Sequence, residues 1–417
     1  MKSICLYFQI HHPFSFQTFR FFNVGEHKSY YDDLRIEREI QEVSTNYYIP
    51  TNNFLLKLLH QTKGQLKLSF YISGTALDQF LAYSPKVISS FRQLSDTGMV
   101  EFAGGTDSHS IASLAGNIDE FVNQIYLNKE RILQNFGQNP KVFVNSDLLF
   151  SDQIATSVAK AGYSSIFTNG AKKLLQWRSP NYLYFSEGHK MMKILFRNET
   201  VSNEMSTLLG NTDTIGKPES INRILDYLNV IKPEEPIINI YLNYVSLGGN
   251  GMSDKHRFFR KFISKIISDP SFCLSLPSEI LERYMPIAEI NSEEPVCWKE
   301  GFHSSYYPGN ELQKEAIRHL FKLGKKVKSI ENRNLKIDWL YLQTSDHFHL
   351  MDENHPDYAT SEPNSGIFKS KYDAFINYMN VLEDFRQRLK SEKRKVKEKK
   401  TFQEPVQLSR LRRNHVI

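Results

Sequence analysis

The chain has 417 residues, of which 40% are hydrophobic and 24% charged, so it can bury a large core like other globular proteins. This composition excludes fibrous and low-complexity classes, and no window approaches the roughly 20 consecutive apolar residues of a membrane helix. The net charge of +6 comes from residues 390–417, which hold ten Lys or Arg against three Glu. This segment carries no nucleic-acid-binding motif or interleaved aromatic residues, so we expect a solvated tail and no nucleic-acid partner.

The three cysteines show neither the spacing of a metal site nor the even number of a disulfide framework. The short apolar start of the chain is followed by two histidines and a proline, without a small-residue cleavage site. We therefore expect no signal peptide, no membrane association and a reducing, cytoplasmic environment.

Apolar runs of strand length alternate with helical patterns over the first 270 residues. The runs SICLYFQI, LKLSFYI and IINIYLN are short and rich in β-branched or aromatic residues, which predicts buried strands. The pattern NIDEFVNQIYLNKERILQNFG predicts a helix that Asn117 caps together with Glu120 and that stops at Gly137. The segment SDQIATSVAKAG predicts another helix, which leads into the strand YSSIFTN.

This alternation of strands and helices predicts right-handed crossovers and a parallel sheet, either open or closed into a barrel. In such folds the chemistry lies beyond the carboxyl ends of the strands. The rule places His11, His12, Asp147 and Asn243 on candidate functional loops, because each follows or ends a predicted strand.

The chain changes character near residue 286, where two long amphipathic helical patterns replace the alternation. We therefore expect three parts: a barrel-like domain over residues 1–285, a helical C-terminal subdomain over residues 286–390, and a basic, disordered tail over residues 391–417.

Several ordered stretches carry a resemblance to a known family. The main ones are YFQIHHPF, VFVNSDLLFSDQIATSVAKAGYSSIFTN, IYLNYVSLGG, WLYLQTSDHFHLM and YDAFINYMNVLEDF, with smaller echoes in GGTDSHS and ILFRNETVSNEMS. Together they resemble glycoside hydrolase family 57, and in particular its α-amylase-type members. The resemblance implies an α/β fold, namely an incomplete parallel (β/α)7-type barrel with a C-terminal helical subdomain. It also implies a retaining reaction on α-1,4-glucans that needs no metal and no cofactor.

Two positions depart from the pattern that the resemblance implies. Retaining glycosidases use two carboxyl groups about 5–5.5 Å apart, one as nucleophile and one as acid/base. Asp147 stands at the nucleophile position, where glutamate is usual, and the shorter side chain withdraws the carboxylate by about 1.5 Å. Asn243 stands at the acid/base position, where an amide cannot deliver the proton that is typically worth about 10²–10⁴ in rate. Neighbouring positions change too, with Val144 in place of an arginine and Val245 in place of an acid.

The same resemblance predicts the residues that contact the sugar. They are His11, His12, His109, Asn203, Glu204, Trp177, Trp298, Asp346 and His347.

Each of these residues also has a purely structural interpretation. The two histidines after the first strand could be packed in a turn, and a metal site built from them lacks a matching carboxylate. Asp147 could cap the helix that begins near Ser151. The two tryptophans could belong to the core, and Asp346 with His347 could form a structural hydrogen bond at a helix start.

Three functions therefore stay open from the sequence. The first is an α-glucan-binding protein, for glycogen or starch fragments, with impaired catalysis. The second is an active hydrolase or 4-α-glucanotransferase that uses a relocated acid, with Asp107, Asp346 or a glutamate as the candidates. The third is a protein that binds a non-carbohydrate partner or a polyanion through its basic tail.

Overall fold

The computed structural model describes residues 1–26, 28–114, 116, 118–296, 309–352 and 367–411, with side chains up to residue 394. The chain divides into two compact units. The first contains Met1–Phe14 and Asp33–Tyr307, and the second contains Ser15–Asp32 and Pro308–Ile417. Among the residues described, no helix is both long enough and apolar enough to cross a membrane.

The first unit is built on one sheet of ten strands. They are β1 Lys2–Ile10, β2 Leu68–Ile72, β3 Val100–Ala103, β4 Val142–Val144, β5 Ser165–Asn169, β6 Tyr184–Ser186, β7 His189–Arg197, β8 Ile237–Asn243, β9 Phe272–Leu274 and β10 Glu289–Ile290. The strand predicted at residues 237–243 is therefore present with the predicted bounds.

Seven of these strands form a parallel ring in the order β1, β2, β3, β4, β5, β7, β8 and back to β1. Two pairs of neighbouring strands in this ring share only one residue pair each. Strands β3 and β4 meet through a bridge between Gly104 and Phe143, and β7 and β8 share the single residue pair Arg197–Asn239. The predicted incomplete (β/α)7-type barrel is confirmed.

Helices follow most of the barrel strands in the first unit. They are α1 Asp33–Val43, α2 Ile49–Gln61, α3 Gly74–Tyr83, α4 Pro85–Ser95, α5 Ile118–Phe136, α6 Asp152–Lys160, α7 Lys172–Leu175, α8 Glu199–Gly210, α9 Pro218–Asn229, α10 Met252–Ser268 and α11 Pro277–Arg283. Helix α6 begins as predicted, because the Ser151 side chain accepts a hydrogen bond from the Ile154 N–H. The predicted cap Asn117 lies outside the described residues.

Aromatic side chains fill the inside of the barrel. Tyr7 of β1 lies 4.2 Å from Phe167 of β5, and Phe167 stacks on Tyr241 of β8 at 5.3 Å between ring centroids. All three are buried. The inside of the barrel is therefore a packed core, and a functional site can form only at its ends.

The second unit contains helices α12 Glu311–Phe321, α13 Gly324–Val327, α14 Arg333–Tyr341, α15 Ser345–His349 and α16 Lys371–Leu411. The segment Ser15–Asp32 joins it, because the Tyr30 hydroxyl donates a 2.6 Å hydrogen bond to Asp384. Helix α16 continues through residues 391–411, which the sequence assigned to the tail. The predicted division at residue 285 and the disorder of residues 391–417 stay predictions.

Candidate functional site

The residues singled out from the sequence gather at the carboxyl ends of the barrel strands. His11 follows β1, His109 follows β3, Asp147 follows β4 and Asn243 ends β8. Because all seven ring strands are parallel, these ends lie on the same side of the barrel, which we call the barrel mouth.

The two histidines after β1 have different surroundings. The ring of His11 stacks on that of His109 at 4.3 Å, and its Nδ1 lies 2.8 Å from the Ser73 hydroxyl. His12 instead places its Nε2 2.7 Å from the Tyr48 hydroxyl and packs edge-on against Phe80. His11 thus shares the mouth with His109, whereas His12 fits the packed interpretation.

The hydrogen bonds of His109 define where its ring proton lies. The Tyr71 hydroxyl donates to the Thr106 carbonyl at 3.1 Å, so its oxygen can only accept from His109 Nδ1, at 3.2 Å. Burial raises the pKa of Tyr71 well above its ordinary value, so the hydroxyl keeps its proton. His109 Nε2 then faces Asp147, with 3.9 Å to Oδ1. Protonated His109 can form an ion pair with Asp147 there.

Asp147 has an unusual backbone. Its φ is +53°, and Leu148 and His109 also have positive φ, at +51° each. Each non-glycine residue in this region costs on the order of 1–3 kcal/mol, so the surrounding structure must hold these residues in place. Ser151 caps the next helix, so the alternative in which Asp147 is that cap is wrong. The Asp147 side chain is 14% exposed at the mouth.

Asn243 is exposed at the end of β8, and its polar contacts are local. Its side-chain oxygen accepts from the Val245 N–H at 3.4 Å, and its carbonyl accepts from the Ser246 hydroxyl at 2.6 Å. Two residues earlier in β8, the Tyr241 hydroxyl donates to Gln9 at 2.8 Å. Burial raises the pKa of Tyr241; the Arg197 charge opposes this shift and the Asp147 charge adds to it. The charges of Asp147 and Arg197 thus both act on the Tyr241 hydroxyl.

Asn203 and Glu204 on α8 bind arginines. Asn203 accepts a 2.6 Å hydrogen bond from Arg197, which ends β7 and is 1% exposed. The Glu204 carboxylate pairs with Arg223, with contacts of 2.5 and 3.0 Å. Sequence reasoning missed Arg197, although an arginine at the end of an apolar strand is a signal that could have found it.

Asp107, a candidate for a relocated acid, is buried and paired. Its Oδ1 lies 2.8 Å from Arg131 Nε, and its side chain is 3% exposed. Burial raises its pKa to about 7, and the Arg131 charge opposes that shift. This ion pair links the loop after β3 to helix α5, which is a structural role.

The remaining predicted residues have separate locations. Trp177 is 86% exposed, so its assignment to the core is wrong; the Arg178 guanidinium lies 5.6 Å from its ring. Trp298 lies outside the described residues. Asp346 and His347 belong to the second unit, where the His347 ring stacks on Phe16 at 4.0 Å. Its Nε2 lies 3.1 Å from the Tyr341 carbonyl.

Metal-ligating side chains do not cluster in the described ranges. No group of three or more His, Cys, Asp or Glu residues is arranged there to hold an ion. The histidines at the mouth contact serine and tyrosine hydroxyls.

The fold defines a (β/α)-barrel protein whose mouth holds an acid, an amide and two stacked histidines. The chain belongs to glycosyl hydrolase family 57, whose family model matches residues 5–292. It is 30% identical over 369 residues to a Methanocaldococcus jannaschii protein named "Putative alpha-amylase", an alignment covering 85% of this chain and 78% of the relative.

Solved structures share the fold at low sequence identity. The GH57-type branching enzyme from Pyrococcus horikoshii is 13% identical, with a TM-score of 0.65, over 92% of this chain and 88% of that one. The 4-alpha-glucanotransferase from Thermococcus litoralis is 14% identical, with a TM-score of 0.64, over 83% of this chain. This chain spans only 56% of the length of that glucanotransferase.

Proposed function

We propose that this protein binds an α-1,4-glucan, such as a glycogen or starch fragment, at the barrel mouth and cleaves it very slowly. Family membership supports the substrate class, since the similar structures include a branching enzyme and a 4-alpha-glucanotransferase. The observation that carries the proposal is the amide of Asn243 at the end of β8, in a mouth whose other side chains include an acid and two histidines.

Binding a glucan and cleaving it require different side-chain groups. A sugar hydroxyl can exchange hydrogen bonds with an imidazole such as that of His11, with the Asn243 amide and with the Asp147 carboxylate. Cleavage also needs a proton at the leaving oxygen, and an amide has none to give. It needs in addition a carboxylate at the anomeric carbon, and the Asp147 side chain is about 1.5 Å shorter than that of the usual glutamate.

The strained backbone supports retained binding. Asp147, Leu148 and His109 keep left-handed conformations that cost free energy of folding. Backbone strain of this kind clusters at active sites and ligand sites. We therefore infer that the geometry serves to present these side chains to a ligand.

An active enzyme with a relocated acid is the second candidate. The raised pKa of Asp107, about 7, is suited to a general acid. Its ion pair with Arg131 and its burial favour a structural role for Asp107 instead. If Asp107 supplies the proton, Asp107→Asn abolishes a cleavage activity that the wild type displays.

The experiment that tests the proposal is incubation of the pure protein with maltoheptaose, with two readouts. The melting temperature should rise at millimolar maltoheptaose, because a ligand that binds only the folded state stabilises it. Product chromatography after one night should show little cleavage. Turnover at ordinary enzyme rates, on the order of 1 s⁻¹ or faster, contradicts impaired catalysis. An unchanged melting temperature contradicts binding.

A further inference from the structure

A cavity that the proposed function does not use lies beside the barrel mouth, within the first unit. It has a volume of about 400 Å³, which falls within the roughly 300–1,000 Å³ that is typical of small-ligand sites. Gly170 and Asn198 are among the residues that line it. Because Gly170 follows β5 and Asn198 follows β7, the cavity begins at the same ends of the strands as the mouth.

The order of the strands places this cavity next to the gap between Asp147 and Asn243. Asp147 follows β4, which pairs with β5, and Asn243 ends β8, which pairs with β7. Strands β5 and β7 pair with each other up to their last residues, Asn169 and Arg197. A chain that lies between Asp147 and Asn243 can leave this gap in two directions. One of them leads over the ends of β5 and β7 to the cavity.

Two linked asparagines hold the floor of the cavity in place. Asn198 Nδ2 donates a 2.8 Å hydrogen bond to Asn181 Oδ1, and Asn198 Oδ1 accepts one of 2.9 Å from the Val201 N–H. The Asn181 amide in turn donates to Glu235 at 2.6 Å. These bonds form without a ligand, so a ligand that enters the cavity meets a preorganised surface and binds at a lower cost in ordering.

The walls of the cavity carry polar side chains that solvent can reach. Three of them are exposed and two are half-buried: Lys172, Gln176 and Thr200, then Arg178 and Tyr227. Ammonium, amide, hydroxyl, guanidinium and phenol groups can all exchange hydrogen bonds with sugar hydroxyls. The walls therefore offer accessible partners for a ligand rich in hydroxyl groups.

A tryptophan stands beside the cavity. Trp177 lies between the lining residues Gln176 and Arg178 and is 86% exposed. Gln176 has a left-handed backbone, with φ of +56°, and its N–H donates to the Lys172 carbonyl at 2.7 Å. The Arg178 guanidinium lies 5.6 Å from the indole ring, within the range of a cation–π contact. This turn keeps a large apolar face in solvent, on which the C–H face of a sugar ring can stack.

The charges of the lining do not single out an ion. Lys172 and Arg178 bring positive charge, and Glu199 brings a carboxylate to the same cavity. An inorganic anion would contact the cations alone and leave the rings of Trp177 and Tyr227 in water. A sugar chain uses both kinds of group, since its hydroxyls bind the polar side chains and its C–H faces pack on aromatic rings.

We propose that this cavity extends the glucan site, so that a chain bound at the mouth continues over the ends of β5 and β7 into the cavity. The proposal rests on the proposed function for the identity of the polymer. It makes the affinity depend on chain length, because only a long oligosaccharide fills the mouth and the cavity together. Contacts that are linked through one chain strengthen each other's binding.

Isothermal titration calorimetry with maltotriose and maltoheptaose tests this extension in four proteins. Trp177→Ala removes a ring that is already 86% exposed, so the fold should be unaffected. Val230→Arg places a long side chain at a cavity-lining position that is 77% exposed. Tyr126→Ala is the control, at a tyrosine of α5 that is 51% exposed. Wild type completes the set, and melting temperatures without ligand check that each variant is folded.

Wild type and Tyr126→Ala should bind maltoheptaose at least about tenfold more tightly than maltotriose. Trp177→Ala and Val230→Arg should each lose about tenfold in affinity for maltoheptaose and keep the wild-type affinity for maltotriose. This pattern is specific, because a general loss of structure would weaken both oligosaccharides.

Several outcomes overturn the extension and leave the proposed function standing. They are equal wild-type affinities for the two oligosaccharides, and a dependence on chain length that both cavity variants retain. Cavity variants that weaken both oligosaccharides equally overturn it too, because the cavity would then not be an addition to the mouth. Absence of binding of either oligosaccharide in all four proteins overturns the proposed function as well.

A titration with inorganic phosphate tests the alternative ligand. If phosphate binds to wild type and not to Lys172→Ala, while Trp177→Ala and Val230→Arg bind maltoheptaose like the wild type, the cavity belongs to an anion and the extension is overturned. If phosphate does not bind and the two cavity variants lose affinity for maltoheptaose alone, the extension is supported.

Discussion

Replacing Asn243 by Asp and Asp147 by Glu in one protein should raise the rate of maltooligosaccharide cleavage well above that of the wild type. Asparagine and aspartate have nearly the same shape, and Asn243 is exposed with only local hydrogen bonds. The first change therefore restores a proton donor at little cost in stability. The second change lengthens the side chain by one methylene, about 1.5 Å.

The expected gain follows from the two missing contributions. General acid catalysis is worth about 10²–10⁴ in rate, and a misplacement of about 1 Å costs on the order of 10². Groups that act as a unit are not additive, so we expect a total gain of about 10²–10⁴, larger than that of either single change. Val144 and Val245 offer no charge to tune the restored pair, which favours the lower end.

The assay is chromatography of maltoheptaose products over time, with the two single variants measured alongside. Asn250→Asp is the matched control, because it introduces the same charge at an exposed position in the same loop. It should leave the rate at the wild-type level. A double variant no faster than wild type, but equally stable and equally able to bind maltoheptaose, refutes the assignment of these two positions.

Three further predictions concern stability and the tail. The pKa of Asp107 is about 7 in the folded protein, against an ordinary 3.8. The folded state therefore holds the carboxyl proton more tightly than the unfolded state does. As a result, this carboxyl lowers the free energy of unfolding as the pH rises from about 4 to about 7. Asp107→Asn should reduce that decline by at most ~4 kcal/mol; equal pH slopes in urea unfolding contradict this. Gly74→Ala should cost about 1–3 kcal/mol, since its Cβ would meet Asp107 in a packed site, whereas Gly210→Ala, with open space around it, should cost nothing; a calorimetric comparison decides. Trypsin should cut within residues 390–417 rapidly and leave the core intact, and strong protection without a partner contradicts the expected disorder.

The parallel strands could be predicted because their signals are local, whereas the closure of the sheet into a barrel was predicted only from the family resemblance. Residues 237–243 form an apolar run with β-branched side chains, and this run is a buried strand with the same bounds in the structure. Ser151 caps α6 for an equally local reason, since its side chain reaches an N–H three residues ahead. Parallel strands then bring His11, Asp147 and Asn243 to one end without further information.

The rest depended on contacts between residues far apart in the sequence. The Phe19 N–H finds its acceptor on Asn377, 358 residues later, so nothing near Phe19 shows that its segment joins the second unit. The ion pair of Glu204 with Arg223 likewise depends on the packing of two helices. The exposure of Trp177 could not be predicted either, because a tryptophan near an apolar pattern usually packs inward.

The central claim, binding with very little cleavage, can be tested in one NMR sample of wild-type protein with excess maltoheptaose. Saturation-transfer signals on the glucose protons report binding, and the anomeric signals of new reducing ends report cleavage over the following day. We predict clear saturation transfer with almost no growth of reducing-end signal. Rapid growth of that signal, at a turnover near 1 s⁻¹, contradicts the claim of impaired catalysis, and absence of saturation transfer contradicts the claim of binding.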